Sequence, residues 1–449
     1  MSKSPDTWSP DSWRNFEALQ QPSWDAEQMK KVFEELSNVP PLVFAGEVRS
    51  LRSDLERVEQ GKGFILQAGD CAESFDAFNA PAIREKLKII LQMAVVLTYS
   101  SGVPTVKIGR IAGQFAKPRS EDFEERDGIS LPSYRGDIVN DIEFAEDARI
   151  PNAKRLLRGY QQSAATLNLL RAFTKGGFAD LSRVHAWNQE FVASTEEGHR
   201  FEQIASEITR ALDFMRACGI DLEKEHQLHQ VDFYTSHEGL ILEYEEALTR
   251  KDSTTGDYYD CSAHFVWIGE RTRQPDNAHV EFMRGIKNPI GIKLGPGASG
   301  DDALELIERI NPEQESGKIV LVVRAGADKV QEVAAPIMEK VKDSGHPVIW
   351  MSDPMHGNTF KHASGYKTRH FNDVLKEIEG FFAACSQAGV WPGGVHLELT
   401  GDDVTECLGG VDDLDDLESR YETRCDPRLN GRQGLDLAFR VAELLSARR

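Results

Sequence analysis

The sequence predicts an α/β protein: a (β/α)8 TIM barrel with an N-terminal extension and a helical insertion between strands two and three. Three observations support this fold class. Eight short runs rich in Val and Ile recur from residue 63 onward. Several are apolar almost throughout, as expected of parallel strands buried on both faces. Helical patterns alternate with the runs, and eight such alternations indicate a barrel.

The predicted strands lie in segments 63–70, 105–110, 231–236, 264–270, 290–295, 318–326, 347–357 and 393–400. Helical patterns cover residues 25–36, 82–98, 152–173, 199–218, 301–310, 370–388 and 433–446. The 301–310 pattern places its apolar residues on one face behind an Asp cap. A doubly wound open sheet is the competing architecture, because strand order cannot be read from a sequence.

The spacing of the strands predicts the domain organisation. About 120 residues separate the second and third strands, and this gap contains the 152–173 and 199–218 helical patterns. A gap of that length is large enough for a subdomain or an interface. We therefore predict an N-terminal arm at 1–45 and a barrel domain at 46–449, with a helical insertion at about 141–225.

Composition excludes several classes of function. The 52 Lys+Arg and 73 Asp+Glu residues give a net charge of −21, which disfavours nucleic acid or an anionic membrane surface as the main partner. No apolar run reaches the ~18 residues of a transmembrane helix, and the first residues lack signal or transit features. Six scattered cysteines form neither a disulfide scaffold nor a paired zinc motif, so we expect a cytoplasmic protein.

Polar residues stand where the apolar runs end, and barrel enzymes place their chemistry at the carboxyl ends of the strands. These residues are Cys71, Arg110, Glu238, Glu270, Arg271, Lys293, Arg324, His356 and Glu398. A single ending of this kind is explained by an ion pair at a loop. A charge at nearly every ending, with both signs present, favours a site, because a buried charge needs a partner or a ligand.

Two sets of candidates follow. The cations Arg110, Arg271, Lys293 and Arg324, with the loop Lys117, Pro118, Arg119 and Ser120, suit a carboxylate or phosphate ligand. They could instead neutralise the three glutamates. The second set, Cys71, His356, Glu398 and Asp426, offers a thiolate, an imidazole and two carboxylates, which suits a transition-type divalent ion better than Ca²⁺ or Mg²⁺.

Residues 295–300 match the GxGxxG pattern of dinucleotide sites. The next predicted strand ends in Arg324, where such a site places an acidic ribose partner. Pro296 also removes an amide N–H from the turn that would hold the phosphates. We therefore expect no nucleotide cofactor and interpret the glycines as allowing close approach to a ligand.

Longer motifs carry a family resemblance. They are Gln67–Phe75, Lys107–Ser120, Leu131–Asp137, Thr235–Glu238, Trp267–Thr272, Gly291–Pro296, Asp353–Thr359, Lys367–Phe371, Gly393–Glu398, Thr405–Gly410 and Tyr421–Asn430. Together they closely resemble the class II (plant-like) 3-deoxy-D-arabino-heptulosonate 7-phosphate (DAHP) synthases, from about residue 10 to the C-terminus. These enzymes catalyse the first step of the shikimate pathway to chorismate and the aromatic amino acids.

The resemblance implies condensation of phosphoenolpyruvate with D-erythrose 4-phosphate. It makes Cys71, His356, Glu398 and Asp426 the ligands of Mn²⁺ or Co²⁺, with Zn²⁺, Fe²⁺ and Cd²⁺ as alternatives. Phosphoenolpyruvate would contact Arg110, Glu270, Arg271, Lys293 and Arg324, and the Lys117–Ser120 loop would contact the phosphate of the aldose. Glu238 and Trp267 would be further substrate contacts. Lys293 would donate a proton and Glu270 would stabilise positive charge. Aromatic amino acids as effectors and a homodimer or homotetramer are also implied.

Two rival functions stay open at this level. One is a metal-dependent barrel aldolase that uses pyruvate or a keto acid; the other is a non-catalytic metal or anion sensor on a degenerate barrel. Cys425 adds a further hypothesis. If Asp426 and Cys71 bind the same ion, Cys425 lies close to Cys71, because it directly precedes Asp426. A disulfide between the two would then be an oxidised, inactive state.

Overall fold

The computed structural model of the protein describes residues 8–188, 193, 195–219, 221, 230–410 and 416–448. Several parts of the predicted domains lie outside the described residues. These are residues 1–7 of the arm, residues 189–192, 194, 220 and 222–225 of the insertion, and residues 226–229, 411–415 and 449 of the barrel domain. The boundary between arm and barrel domain stays a prediction.

Eight parallel strands close into a barrel. They are β1 (Phe64–Gly69), β2 (Thr105–Arg110), β3 (Tyr234–Glu238), β4 (Phe265–Ile268), β5 (Ile290–Leu294), β6 (Ile319–Val323), β7 (Ile349–Ser352) and β8 (Pro392–Glu398). Each strand pairs with its neighbours in sequence, and β1 also pairs with β8. The (β/α)8 prediction is confirmed, and the closed strand order excludes the open doubly wound sheet.

The α-helices lie between and around the strands. They are α1 (Ala26–Asn38), α2 (Ala45–Glu59), α3 (Ala80–Ser101), α4 (Glu146–Arg149), α5 (Lys154–Lys175), α6 (Glu196–Ala217), α7 (Leu242–Leu248), α8 (Ala278–Gly285), α9 (Gly300–Ile310), α10 (Val330–Ser344), α11 (Phe371–Ala388) and α12 (Gly431–Ser446). Within the described part of the chain, three short antiparallel hairpins pair Phe123–Arg126 with Ile129–Pro132, Thr249–Lys251 with Tyr258–Asp260, and Phe360–Lys361 with Lys367–Thr368.

Helix α9 shows how local sequence sets an element. The Ser299 side chain accepts a hydrogen bond from the Asp302 amide, and the Asp302 carboxylate accepts one from the Ser299 amide. This reciprocal capping box starts the helix at the end of the glycine-rich loop. The cap is therefore Ser299 and not an aspartate, although the apolar face predicted for the helix is buried.

The barrel interior changes from apolar to charged along the strands. Helix α2 closes the amino end, where its Leu51 and Leu55 share a buried cluster with Val106 and Ile108 of β2. Arg110 follows on the same face of β2, because side chains along a strand alternate between the two faces. The same strand thus has apolar residues in the core and ends with the charged side chain of Arg110.

The segment between β2 and β3 contains the Phe123–Pro132 hairpin and helices α4 to α6, and the bounds of the insertion at about 141–225 stay a prediction. Helix α5 packs against α1 and α3, and α6 packs against α3 and α12. Leu167, Leu170 and Leu212 are buried, whereas Phe214 is 68% exposed. Most of the apolar surface predicted for these helices is therefore covered by the chain itself.

Candidate active site

A cavity of about 530 Å³ opens at the carboxyl ends of the barrel strands. The predicted site residues that line it are Cys71, Arg110, Lys117, Pro118, Arg119, Ser120, Glu238, Trp267, Glu270, Arg271, Lys293, Arg324, His356 and Asp426. Glu398 is fully buried and joins the group through hydrogen bonds. The structure therefore brings together every residue predicted for the site.

Strand register explains how distant residues meet. Gly69 at the end of β1 pairs with Arg110 of β2 on one side and with Glu398 of β8 on the other. Cys71 follows two residues after Gly69, so it lies beside both charged side chains. The barrel closure therefore joins a residue near the start of the chain to residues near its end.

The first half of the cavity is a cluster of electron-pair donors. One donor atom each from Cys71, Glu398 and Asp426 lies within 4.8 Å of the others. His356 adjoins this group through Glu398, since its Nε2 lies 3.0 Å from Glu398 Oε1. The ammonium of Lys117 stands among them, 2.8 Å from Cys71 Sγ and 2.6 Å from Asp426 Oδ2.

The donor set fits a divalent transition-type cation. The four donor groups are one sulfur, one imidazole nitrogen and two carboxylates, a combination that such ions bind. The Lys117 ammonium, which also lies 3.6 Å from Glu398 Oε1, shows that the donor groups attract positive charge to the space between them. Burial raises the pKa of the Cys71 thiol well above its ordinary value, and a bound metal ion would deprotonate it.

His356 is held for this role by Asp353. Its Nδ1 lies 2.8 Å from Asp353 Oδ2, and a proton on Nδ1 leaves the Nε2 lone pair for a cation. Burial alone would raise the pKa of Asp353, but His356 and Lys293 hold it well below its ordinary range. Asp353, His356 and His396 form a second close group. The Lys293 ammonium already lies 2.7 Å from Asp353 Oδ2 and 3.1 Å from His396 Nε2.

Glu398 stays ionised at the bottom of the cavity. Its Oε1 accepts from Arg110 at 3.1 Å and its Oε2 accepts from Arg369 at 2.7 Å. Burial opposes ionisation, but interactions with His356, Lys117 and Arg369 hold the pKa of Glu398 well below its ordinary value. A carboxylate that remains charged without solvent is suited to a cation.

The second half of the cavity is cationic. Arg110 and Lys293 lie over the Trp267 ring, at 5.1 Å and 5.7 Å from its centroid. Arg324 donates to the His356 carbonyl at 2.8 Å, and its buried Nε has no partner among the described residues. Burial lowers the pKa of Lys293, although Asp353 opposes the shift. Burial also raises the pKa of Glu238, although Lys293 opposes it.

The outer rim is less tightly held. Arg271 is exposed and donates to Ser120 Oγ at 2.6 Å. Arg119 pairs with Glu124 of the insertion hairpin at 3.0 Å. Glu270 forms two 3.0 Å hydrogen bonds with Arg273 and accepts from the Gly295 amide at 2.6 Å.

Gly295 has a steric reason to be glycine. A Cβ atom at this position would lie 2.7 Å from Glu270 Cδ, closer than the side chain permits. The first glycine of the GxGxxG pattern therefore lets a backbone amide reach a site carboxylate. The sequence interpretation expected these glycines to allow close approach to a ligand. In the structure, Gly295 closely approaches the side chain of Glu270.

Sequence reasoning missed several residues that support the site. They are Asp70, Lys86, Asp353, Arg369, His396, Glu406 and Arg428, all buried or nearly so. Most lie inside the quoted motifs, so the motif positions contained a signal. Because these residues bond to other protein groups, polarity at strand ends alone could not identify them.

Fold and cavity together define a (β/α)8 barrel with a candidate divalent-metal site beside a cationic pocket at the carboxyl ends of its strands. The chain belongs to the class-II DAHP synthetase family, whose profile matches residues 8–442.

Two curated relatives support this membership. Phospho-2-dehydro-3-deoxyheptonate aldolase from Streptomyces coelicolor is 57% identical over 436 residues, covering 96% of each chain. Phospho-2-dehydro-3-deoxyheptonate aldolase AroG from Mycolicibacterium smegmatis is 49% identical over 435 residues, covering 95% of this chain and 92% of the relative. Within the described residues, no helix is long and apolar enough to cross a membrane.

Proposed function

We propose that the protein condenses phosphoenolpyruvate, D-erythrose 4-phosphate and water to DAHP and inorganic phosphate, the first step of the shikimate pathway. One observation carries the proposal within this family. A cation-binding donor cluster and an arginine–lysine pocket share a single cavity, and His356 and Lys293 are within 3.5 Å of each other across it. A reaction that joins two phosphorylated substrates needs both features in one place.

Arg110, Arg271, Lys293 and Arg324 bind phosphoenolpyruvate in this proposal. Their charges match its phosphate and carboxylate, and guanidinium groups pair bidentately with both. The unpartnered Arg324 Nε supplies a buried donor. Trp267 limits water below the cations, since it is only 1% exposed. Glu238, whose buried Oε1 has no partner in the described part of the chain, faces the same substrate.

The rim loop binds the phosphate of the aldose. Arg119 and Ser120 lie at the mouth of the cavity, where an entering substrate meets them first. Lys117 and Pro118 connect this rim to the donor cluster. The loop therefore positions the aldehyde end of the substrate between the two halves of the cavity.

Cys71, His356, Glu398 and Asp426 would hold the divalent cation, with Mn²⁺ or Co²⁺ the best match and Zn²⁺, Fe²⁺ or Cd²⁺ as alternatives. When bound, the cation supplies Lewis acidity for the aldehyde carbonyl. No nucleotide cofactor takes part.

The side chains then guide charge and protons. C3 of the enol phosphate attacks the aldehyde carbon, forming the new C–C bond, and Lys293 protonates the resulting alkoxide. The shift in the pKa of Lys293 suits this role, because burial makes its proton easier to release. Glu270 stabilises the positive charge that develops at C2. Water adds there and loses one proton, which gives a hemiketal phosphate. Its bond between C2 and the phosphate oxygen then breaks, the C2 hydroxyl loses its proton to become the ketone, and phosphate leaves.

The decisive experiment measures phosphate release from phosphoenolpyruvate. We expect release only when erythrose 4-phosphate is present, loss of turnover in excess chelator, and recovery with Mn²⁺ or Co²⁺. Full activity in chelator would overturn the metal role. Turnover with pyruvate in place of phosphoenolpyruvate would favour the aldolase alternative, and metal binding without any turnover would favour a sensor.

We further propose control by aromatic amino acids, a homodimer or homotetramer, and a cytoplasmic location. The exposed Phe214 on the insertion helix α6 supports an interface there. Light scattering with and without Trp, Tyr and Phe, combined with activity assays, tests assembly and control together. A monomer whose activity ignores all three amino acids would contradict both proposals.

The Cys71–Cys425 disulfide remains part of the proposal. Both cysteines are free, and a hydrogen bond between the two thiols lowers the pKa of Cys425. Mass spectrometry of metal-stripped, oxidised protein should find this pair linked. Only free thiols under those conditions would dispose of the idea.

A further inference from the structure

Arg369 is a fully buried arginine that touches no predicted substrate residue. It lies just before helix α11, at the end of the Phe360–Thr368 hairpin, and is 0% exposed. A guanidinium that is removed from water needs a partner for its charge and for its N–H groups. The residues that satisfy Arg369 all belong to segments that carry the predicted metal ligands.

Three ligand segments converge on this one side chain. Arg369 Nε donates to the Met355 carbonyl at 2.8 Å, next to His356. One terminal nitrogen donates to the Pro427 carbonyl, next to Asp426. The other donates to Glu398 Oε2 at 2.7 Å. The planar fork of an arginine is suited to holding separate acceptors in a fixed relation.

The bond to Glu398 orients that carboxylate. With Oε2 engaged by Arg369, Oε1 faces His356 Nε2 at 3.0 Å and the rest of the donor cluster. Arg369 Nε also contacts Thr359 Oγ1 at 2.9 Å, which holds the other end of the loop that carries His356. The guanidinium therefore acts on the cluster from behind, opposite the cavity.

A second arginine secures the remaining ligand segment. Arg428 donates to Asp70 Oδ1 at 3.0 Å, directly before Cys71, and to both oxygens of buried Glu406. The backbone around Glu406 is tied to the Arg369 segment, because Leu408 N donates to the Arg369 carbonyl at 2.8 Å. The two arginines form one connected support under all four ligand segments.

We propose that Arg369 is a positioning residue of the metal centre. It holds Glu398 and the loops of His356 and Asp426 in the arrangement that binds the divalent cation, and so raises metal affinity without touching substrate. This inference rests on the metal site of the proposed function. Residues that orient metal ligands from behind typically change metal affinity by about 10–100-fold when they are removed.

The test measures Mn²⁺ binding to chelator-stripped full-length protein by calorimetry. We expect Arg369→Met to raise the Mn²⁺ dissociation constant by about 10–100-fold. Arg369→Lys cannot reach the separate acceptors together, so it should also weaken Mn²⁺ binding. Because it keeps the positive charge, its loss of affinity should be smaller than that of Arg369→Met. Loading with Co²⁺ gives a second readout, because the sulfur-to-cobalt absorption band reports whether Cys71 stays in the coordination sphere.

Arg149→Met is the matched control. Arg149 is also 0% exposed and also joins loops, through Glu124 and the carbonyls of Pro132 and Ile142. It contacts none of the donor cluster. Both substitutions should lower the unfolding temperature of the stripped protein, but only the change at Arg369 should weaken Mn²⁺ binding and alter the Co²⁺ band.

The outcomes separate this inference from the proposed function. A folded Arg369→Met protein with the wild-type Mn²⁺ dissociation constant and Co²⁺ band overturns the positioning role. If that variant does not fold, Arg369→Lys decides by the same two readouts. Wild-type protein that binds no Mn²⁺, or that turns over fully in chelator, overturns the metal site itself.

Discussion

The two ends of the barrel use charge in opposite ways. At the amino end, charged groups are satisfied by other protein groups: Lys318 Nζ donates to backbone carbonyls, including that of Asn288 at 2.8 Å, and Glu47 pairs with Arg171 at 2.9 Å. At the carboxyl end, Arg110, Lys293 and Arg324 line a cavity, and the buried Nε of Arg324 has no partner among the described residues. The charged groups at the amino end are therefore paired within the protein, whereas the carboxyl end has a cavity lined by cations that a ligand can fill.

The difference arises within single strands. β6 begins directly after Lys318 and ends directly before Arg324, so one strand connects the two environments. Stability and chemistry are therefore separable by position along a strand, as is general for this barrel class. Substitutions at the two ends should accordingly affect different measurements.

The largest expected effect is at the donor cluster. His356→Ala removes one proposed ligand, and we expect turnover to fall at least ~10³-fold, because Lewis acid catalysis is worth several kcal/mol. Bound metal should fall in parallel. His362→Ala, in the exposed hairpin nearby, is the control and should keep both. Normal metal content in an inactive His356→Ala protein would contradict the ligand role.

Lys293→Met comes next. We expect kcat to fall by about 10²–10⁴-fold, the usual contribution of a positioned acid, with weaker phosphoenolpyruvate binding. Because burial lowers the pKa of Lys293, wild-type activity should decline on the alkaline side at a lower pH than an ordinary lysine would give. Rates measured from neutral to alkaline pH check this, and unchanged turnover of the variant would remove Lys293 from the mechanism.

At the amino end, Lys318→Met should affect stability and leave kcat unchanged. The substitution leaves the carbonyls of Ile286 and Asn288 without this buried donor, which costs about 1–3 kcal/mol. Urea unfolding measures the loss. An effect on kcat with no change in unfolding would break the division between the two ends.

The same residue gives a pH dependence. Burial lowers the pKa of Lys318 to about 7 from its ordinary 10.5. Between these values the unfolded chain binds the extra proton, so the contribution of Lys318 to wild-type stability rises with pH. The gap between wild type and Lys318→Met should therefore widen from neutral to alkaline pH.

The smallest effect is expected at Glu47. Burial opposes its ionisation, but His264 and other partners lower the pKa of Glu47 to about 2. Its stabilisation is thus present above its ordinary pKa of 4.5 and lost as the pH falls toward 2. Since the side chain is 37% exposed, Glu47→Gln should cost under ~1 kcal/mol. Unfolding temperatures at neutral and acidic pH should converge in acid, and a difference that grows there would contradict the assignment.

Much of this organisation was predictable from the sequence. Buried strands give apolar runs and their carboxyl ends share one rim, so a list of polar strand endings predicted the composition of the cavity without any distance. The helix bounds also follow from periodicity, as at 371–388 against the predicted 370–388. The roles of individual site residues stay predictions.

The rest depends on packing between loops. Arg369 and Arg428 act through segments distant in the chain, and no local pattern shows which carbonyls they reach. Glu270 pairs with Arg273 three residues away, which removes part of its charge from the cavity. Lys117 reaches the donor cluster because its loop folds inward, a contact that strand spacing cannot predict.

The pairing of β1 with β8 has a consequence for biosynthesis. Cys71 emerges from the ribosome early, while Glu398 and Asp426 are translated near the end. A growing chain thus carries the arginine of β2 and the lysine of β5 long before three of the donors can meet. An incomplete translation product that ends before Asp426 lacks the full donor set and cannot form the candidate metal site.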